Sequence, residues 1–328
     1  MAYHDPVPVL YVLDFNVGKN NDDPEDPFKS GRVAVGSAAG GQLKTLIDHE
    51  RMPDGIDVLQ DDSQDGRIFW TQMGHAEKND GQVQSAALDG SDVKDIYKPG
   101  EIHTPKQITV DRVNRKLYIC DREGLRVHRS NLDGSEKEVL VKRGDWNNSE
   151  HVKNKDIHCV GVTADAKHGK FYWTQKGPSK GGSGQIYRAN IEMPAGETAE
   201  TRSDIEQLFK ELPEPIDLEI DSETQTLYWS DRGDVPRGNT LNKADVSGSA
   251  KSGHYDIIAR HLHEAIGIRI DNKHKHIYAT DLGGSVYQYR MDGSHVREMF
   301  KDQGAYTGIA VAELSASRAK ELYGIIYE

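Results

Sequence analysis

Acidic and apolar residues alternate in one segment of the chain, which marks it as a candidate for acid–base chemistry. In residues 216–221 (IDLEID), isoleucine and leucine alternate with Asp217, Glu219 and Asp221. A period of two predicts a strand with one apolar face and one acidic face. Carboxylates that face a shared space can transfer protons, and several together can hold a hard cation.

Five other segments align with this strand and predict a ring of polar side chains. They read DGIDVL, KQITVD, VGVTAD, IGIRID and TGIAVA and begin at residues 54, 106, 160, 266 and 307. Asp57 and Arg269 align with Glu219, and Gln107 aligns with Asp217. If six such strands surround one channel, Asp57, Glu219 and Arg269 converge there. This cluster has two interpretations: a substrate site with acid–base and anion-orienting groups, or an arginine that only neutralises acids in a wet channel.

Further titratable residues stand just before these strands, on the predicted rim of the channel. Histidines in such a position can transfer protons near neutral pH. We predict catalytic roles for His158, His263, Glu214, Asp217, Arg269 and Tyr306. We predict substrate contacts from Asp54, Asp57, His103, Lys106, Gln107, Glu219 and Glu264.

A five-residue pattern recurs six times and predicts how these strands are arranged. The copies read LYVLD, IFWTQ, LYICD, FYWTQ, LYWSD and IYATD and begin at residues 10, 68, 117, 171, 227 and 277. Successive copies therefore lie 49 to 58 residues apart. Repeats of about this length with β-type residues are typical of propeller blades of four strands each.

Each repeat also carries signals for its other strands. An apolar-alternating segment precedes each of the last five copies of the motif, and a glycine-rich loop and a third strand follow. The Asp-Gly pairs at Asp89, Asp133 and Asp292 suit tight hairpins before a fourth strand. We predict an all-β fold, a six-bladed β-propeller of four-stranded antiparallel blades, as a single domain over residues 1–328.

The two ends of the chain predict how the ring closes. The first copy of the motif has no innermost strand before it, and residues 306–313 (YTGIAVAE) supply an innermost strand at the other end. N- and C-terminal strands that share one blade would leave no free edge. We expect residues 16–31 to form a mobile loop and residues 314–328 to form either an extension or an extra strand.

The bulk composition excludes several classes of partner. The formal net charge of −12 would repel phosphate backbones, so we predict no nucleic-acid partner. No apolar run approaches the roughly 20 residues that a membrane span needs. Two cysteines and a start without a signal-peptide pattern predict a cytoplasmic protein, or a secreted one if a leader has been removed. We expect a monomer.

The repeated motif resembles the YWTD motif of the six-bladed propellers first known from the low-density-lipoprotein receptor. The resemblance covers nearly the whole chain. Individual copies depart from the motif, since Gln72 and Gln175 replace its aspartate and Ile119 and Ala279 replace its tryptophan. The resemblance implies the propeller fold and leaves the function open.

The overall form and repeat pattern are also similar to fungal propeller proteins of secondary metabolism, among them hetero-Diels–Alderases that join an o-quinone methide to a humulene-type terpene. This resemblance implies a cofactor-independent enzyme that binds a small, largely apolar metabolite at the top of the channel. Acid–base groups of the rim would assist the loss of water, namely His158, His263, Glu214 or Tyr306. Arg269 and Gln107 would hold the oxygen of the diene partner.

Two alternatives stay open at the level of sequence. The protein could be a non-catalytic propeller that binds a protein or ligand on its top face, or a metal-dependent lactonase or other hydrolase with Asp57, Asp217 and Glu219 as ligands. Arg269 in the same ring argues against a cation, so we predict no metal. The sequence also has no P-loop, and it has no G-x-S-x-G elbow or dinucleotide fingerprint placed between a strand and a helix, so we predict no cofactor.

Overall fold

Six four-stranded antiparallel sheets form the protein, as the sequence predicts. The structure, a computed structural model, describes residues 7–15, 29–60, 66–248 and 253–326. The predicted loop at residues 16–31 lies mostly outside these ranges, and its last residue, Gly31, already begins a strand. No helix in the described ranges has the length and apolar character that a membrane crossing requires.

The first three blades contain the N-terminal half of the chain and its last strand. Blade 1 consists of β1 (Val7–Asp14), β2 (Gly31–Ser37), β3 (Gly40–Glu50) and β24 (Tyr306–Leu314). Blade 2 consists of β4 (Pro53–Leu59), β5 (Arg67–Gln72), β6 (Gln82–Ala87) and β7 (Lys94–Tyr97). Blade 3 consists of β8 (Pro105–Asp111), β9 (Lys116–Asp121), β10 (Arg126–Asn131) and β11 (Glu138–Lys142).

The other three blades follow in chain order after the short helix α1 (Ser149–Lys153). Blade 4 consists of β12 (Cys159–Asp165), β13 (Lys170–Gln175), β14 (Gly184–Asn190) and β15 (Glu206–Leu212). Blade 5 consists of β16 (Pro215–Asp221), β17 (Thr226–Asp231), β18 (Thr240–Asp245) and β19 (Asp256–Arg260). Blade 6 consists of β20 (Ala265–Asp271), β21 (His276–Asp281), β22 (Val286–Arg290) and β23 (His295–Met299).

The innermost strands β24, β4, β8, β12, β16 and β20 contact one another around a central channel. They all begin at one end of the channel, which we call the top, and end at the other, which we call the bottom. Trp70, Trp173 and Trp229 of the motif strands are buried in the apolar layers between blades. These layers account for the aromatic positions of the repeated motif.

In blades 2 to 6 the fourth residue of the motif ties its blade to the next. The hydroxyl of Thr71 donates to the carbonyl of Lys106 at 2.7 Å, and the hydroxyl of Thr174 donates to that of Ile216 at 2.8 Å. In blade 3 the thiol of Cys120 takes this place and donates to the carbonyl of Gly161 at 3.1 Å. The innermost strands thereby gain partners for backbone groups on their channel side.

Closure of the ring follows the prediction from the chain ends. Strands β1 and β24 pair antiparallel, with Tyr11 opposite Ala310. Residues 316–323 form a helix, α2 (Ala316–Tyr323), so the tail extends blade 1 and does not add a strand. The hydroxyl of Tyr323 lies 2.5 Å from that of Tyr11 and donates to the carbonyl of Leu88 in blade 2 at 2.7 Å.

Replacing Tyr323 with phenylalanine is expected to lower the free energy of unfolding by about 1–3 kcal/mol, because the buried oxygens of Tyr11 and Leu88 lose a hydrogen-bond partner. Urea unfolding monitored by circular dichroism measures this loss. The matched control is Tyr255→Phe, since the hydroxyl of Tyr255 binds the exposed Arg237 and should contribute little. Equal losses in both variants would contradict a role for α2 in closing the ring.

Candidate functional site

A pocket of about 590 Å³ opens at the top of the channel. Its walls come from two structurally equivalent sets of positions. One is the second residue of an innermost strand, such as Asp54, Lys106 and Ile266; the other is the residue directly after a motif, such as Met73 and Arg122. Residues 74–78, in the loop between β5 and β6, also line the pocket.

The six residues that follow the six motifs, which we call the post-motif ring, divide the top of the channel into two halves. Blades 6, 1 and 2 contribute apolar residues, and blades 3, 4 and 5 contribute basic residues. In that order they are Leu282, Phe15, Met73, Arg122, Lys176 and Arg232. All of them except Lys176 line the pocket. At the level of this ring the pocket is therefore apolar on one side and cationic on the other, and Asp54, His75, Glu77 and Lys78 of blade 2 add polar groups beside the apolar half.

The second position of the innermost strands is apolar in blades 4, 5 and 6 and polar in blades 1, 2 and 3. Val160, Ile216 and Ile266, each the second residue of an innermost strand, form one buried cluster, and Leu282 packs against it. Ile266 and Leu282 are exposed to the pocket itself. A ligand with an apolar body can therefore bury that body here.

Carboxylates lie behind the cations of the basic half. Arg122 donates from Nε to both carboxylate oxygens of Glu123 at 2.7 Å. Arg232 and Lys176 donate to the same oxygen of Glu214 at 2.6 and 2.9 Å. Although burial opposes it, these cations hold the pKa values of Glu123 and Glu214 below the usual range. The acids hold the cations in place and, unlike Arg122 and Arg232, do not line the pocket.

Lys106 and Asp54 form a buried ion pair in the wall between the two halves. Gln107 supports the pair by donating from Nε2 to Asp54 Oδ1 at 2.8 Å. Lys106 Nζ also lies 3.0 Å from the sulfur of Met73. Burial lowers the pKa of Lys106 to about 8, although Asp54 opposes this shift.

The remaining rim candidates are not among the described residues that line the pocket. His158 is buried with Nε2 2.8 Å from the carbonyl of Val152, and burial lowers its pKa to about 4. Tyr306 is buried and donates to the carbonyl of Phe300 at 2.8 Å. His103 is buried with its ring against Trp146.

Two further rim candidates lie near blade 5. His263 is exposed, and its backbone N–H donates to Asp281 at 2.8 Å. Glu264 bridges Lys180 at 3.0 Å and Arg232 at 3.4 Å. Of the thirteen predicted site residues, only Asp54 and Lys106 line the top pocket.

Two fungal relatives match almost the whole chain. A Cochliobolus heterostrophus protein named 3-hydroxyacyl-CoA dehydrogenase-like protein LAM1 is 42% identical over 314 residues, which cover 93% of this chain and 65% of the relative. A Pyricularia oryzae protein named low-density lipoprotein receptor-related protein 1 is 41% identical over 312 residues, which cover 92% of this chain and 97% of the relative. This chain belongs to the YWTD-type, low-density-lipoprotein-receptor-like propeller family.

A solved structure supports the fold of this YWTD propeller. A chain from the crystal structure of a nidogen/laminin complex superposes with a TM-score of 0.67 at 16% identity, covering 93% of this chain and 98% of the other. At that identity the likeness shows the fold alone. No family model matches the sequence. This chain spans just under two thirds of the length of the Cochliobolus relative.

The predicted cluster around Arg269 forms in this YWTD propeller, at the bottom of the channel. Arg269 Nη1 bonds Glu219 and lies 3.5 Å from Asp57. Glu219 and Arg269 line a second cavity of about 340 Å³, which is separate from the top pocket. The structure therefore brings Asp57, Glu219 and Arg269 together, but it does not place them with Asp54 and Lys106 in the top pocket.

Asp57 of this cluster and Asp217 of blade 5 both bind backbone groups of neighbouring blades. Asp57 accepts from the N–H of Val110 at 2.7 Å, and Asp217 accepts from the N–H of Ile268 at 3.0 Å. Burial raises the pKa of Asp217 to about 8 and that of Glu219 to about 7, although Arg269 opposes both shifts. These contacts connect blades and give the cluster a structural role.

Sequence reasoning missed most of the pocket wall in this YWTD propeller. Phe15, Met73, Arg122, Arg232 and Leu282 were not among the predicted site residues. The signal for them is the register of the repeats, because each stands at the same position after its motif. Reading that column across six repeats shows the division into three apolar and three basic residues.

Proposed function

We propose that this propeller binds a small metabolite in the top pocket and acts on it as a cofactor-independent enzyme of secondary metabolism. The ligand would have an apolar body and an anionic or oxygen-rich end. The division of the post-motif ring into an apolar and a basic half carries this proposal. A volume of about 590 Å³ lies within the range of small-molecule sites.

The basic half retains donors for such a ligand. The hydrogen bonds from the Arg122 side chain to other described residues all leave from Nε, and an arginine has five N–H donors. Arg232 bonds Glu214 through one Nη nitrogen. The other Nη groups can donate to a carboxylate, a phenolate or a carbonyl oxygen, and such charge-assisted bonds are strong in a partly buried site.

Within this class we propose a cycloaddition of the kind that the fungal resemblance implies. The apolar half would hold a terpene, and Arg122 or Arg232 would hold the oxygen of a quinone-methide partner. Catalysis would then consist mainly of positioning two reactants and stabilising charge on oxygen. The 42% identity to the Cochliobolus protein supports a fungal setting.

Replacing Arg122 with glutamine is expected to weaken the binding of anilinonaphthalene sulfonate about tenfold or more, since a charge-assisted bond contributes about 1.5–3 kcal/mol. Fluorescence titration measures the dissociation constant. The matched control is Arg112→Gln, because Arg112 belongs to the same blade and lines the bottom cavity instead. N-phenylnaphthylamine, which has the same aromatic body and no charge, should bind both variants and the wild type alike.

Equal affinities of the two variants for the sulfonate would overturn the assignment of the ligand site. Turnover is then tested with humulene and a quinone-methide precursor, with heat-denatured protein as the background and chromatography to detect the adduct. Binding without product would favour the alternative of a non-catalytic binding propeller. Lactone hydrolysis that is lost with a chelator and restored by calcium would favour the metal-dependent alternative.

A further inference from the structure

Lys106 places a primary amine inside the top pocket. Its side chain is only 11% exposed, and it lines the cavity at the second position of β8. Met73 contacts it from the apolar half of the ring, with the sulfur 3.0 Å from Nζ. Asp54 from β4 contacts the same nitrogen. An amine in such surroundings has a carboxylate at hand for proton transfer and an adjacent cavity for a reaction partner.

Burial shifts this amine toward its neutral form, against the pull of the nearest charge. Burial lowers the pKa of Lys106 to about 8 although Asp54 opposes the shift, and Arg122 of the same blade and Arg232 of blade 5 act in the same direction as burial. At pH 7 roughly one tenth of such an amine is unprotonated, against less than roughly 0.1% for a lysine of ordinary pKa. Desolvation and neighbouring cations are the usual means by which a protein makes a lysine nucleophilic.

We propose that Lys106 forms an imine with the carbonyl group of a small molecule held in the top pocket. The partner is an aldehyde or ketone with an anionic group, which Arg122 or Arg232 would bind while the carbonyl carbon reaches Nζ. This inference rests on the proposed ligand site and assigns a reaction to it.

The chemistry is balanced without any further reagent. Asp54 accepts a proton from the ammonium group of Lys106, and the freed electron pair attacks the carbonyl carbon. The carbonyl π electrons move onto the oxygen. Transfer of a proton from nitrogen to that oxygen then yields a carbinolamine. Return of a proton from Asp54 to that hydroxyl releases water and leaves the iminium ion, and hydrolysis reverses the sequence.

Lys106 differs from the neighbouring lysines in combining burial with access to the pocket. Lys176, in the post-motif ring, is also mostly buried and pairs with Glu214 at 2.9 Å, and burial lowers its pKa too, but it does not line the pocket. Lys78 lines the pocket from an exposed loop position. Lys106, in contrast, is buried against Asp54 and Met73. Selective labelling at Lys106 is therefore the expected signature.

The test treats the full chain at pH 7 with para-carboxybenzaldehyde and cyanoborohydride, then maps the modified peptide by mass spectrometry. We expect one dominant adduct at Lys106, formed about tenfold faster than with the uncharged para-tolualdehyde, because the carboxylate gains a charge-assisted bond. Lys106→Arg, which keeps the positive charge beside Asp54, should lose the adduct. The control Lys116→Arg, on β9 of the same blade and outside the pocket, should retain it.

Protection by para-toluate and binding of para-toluate are measured in addition to labelling. Para-toluate, which binds without reacting, should protect Lys106 in the wild-type protein, so the result does not depend on whether Lys106→Arg folds. Labelling of Lys106 no faster than that of exposed lysines, with para-toluate still bound at the pocket, would overturn the imine alone. Failure of para-toluate to bind at all would overturn both the imine and the proposed ligand site.

Discussion

Replacing Arg269 with methionine is expected to lower the free energy of unfolding by about 3–5 kcal/mol, the usual loss when one partner of a buried ion pair is removed. From blade 6, Arg269 donates to the carbonyl of Ile309 in blade 1 at 3.2 Å and to that of Ile56 in blade 2 at 2.9 Å. It also bonds Glu219 of blade 5. The variant leaves a carboxylate and two carbonyls without this donor. Chemical denaturation measures the loss.

Arg112→Met is the matched control for this prediction. Arg112 also pairs with Asp57, at 2.8 Å, but its side chain is 49% exposed. Water can replace it, and we expect a loss of about 1 kcal/mol. Equal losses of stability in the two variants would contradict a role for Arg269 in holding the blades together. If Arg269 instead acts on a substrate, as its place in the sequence suggests, product formation will fall in a folded variant without a matching loss of stability.

Asp121 and Asp231 are the last residues of two motifs, and replacing each with asparagine is expected to change the free energy of unfolding in opposite directions. At pH 8, Asp231→Asn should raise the free energy of unfolding by about 2 kcal/mol, and Asp121→Asn should lower it by about 3 kcal/mol. Asp121 pairs with Arg126 at 2.7 Å and lies 3.5 Å from His128. Although burial opposes it, these partners hold the pKa of Asp121 below its usual range.

Asp231 lacks comparable partners in the described part of the chain. Its Oδ1 accepts from the N–H groups of Glu214 and Gly233, while its buried Oδ2 has no hydrogen-bond partner among the described residues. Burial raises the pKa of Asp231 to about 7. An asparagine can keep the accepting oxygen and removes the buried charge.

The pH dependence separates the two aspartates. Because the folded pKa of Asp231 lies above the unfolded value near 4, the folded state binds more protons between about pH 4 and 7, and stability falls as pH rises through that range. The gain from Asp231→Asn should therefore be about 2 kcal/mol larger at pH 8 than at pH 5. Asp121 has a lowered pKa, so its contribution is present throughout this range and is lost only in acid. Urea unfolding of both variants at pH 5 and pH 8 checks the signs; the same sign for both at pH 8 would contradict the assignment.

The propeller could be predicted because its signals are local and repeated. The spacing of the motifs, the alternation of the strands and the innermost strand left for residues 306–313 depend only on nearby sequence, and the structure confirms each of them. Burial of the motif aromatics follows from the same pattern. The structure of residues 314–328 could not be predicted in the same way, because this tail contains no repeat. Its helix is held by contacts of Tyr323 with two blades.

The site was only partly predictable, because aligning the strands does not show at which end of the channel a side chain lies. Asp54 and Asp57 are three residues apart on β4, which is about 10 Å along a strand, so one faces the top pocket and the other the bottom cluster. The alignment correctly predicted that Asp57, Glu219 and Arg269 would meet. It did not show that they meet at the opposite end from Lys106.

The sequence by itself determined the number of blades, their closure and the residue types that face the channel, since these follow from periodicity. Only the tertiary structure decided which of those residues share a cavity. His158 and Tyr306 have the right chemistry for a site, yet backbone carbonyls lie within hydrogen-bonding distance of them inside the protein. Arg122 and Arg232 follow strands and were not predicted to be site residues. They line the top pocket because the ring brings together positions that lie more than a hundred residues apart.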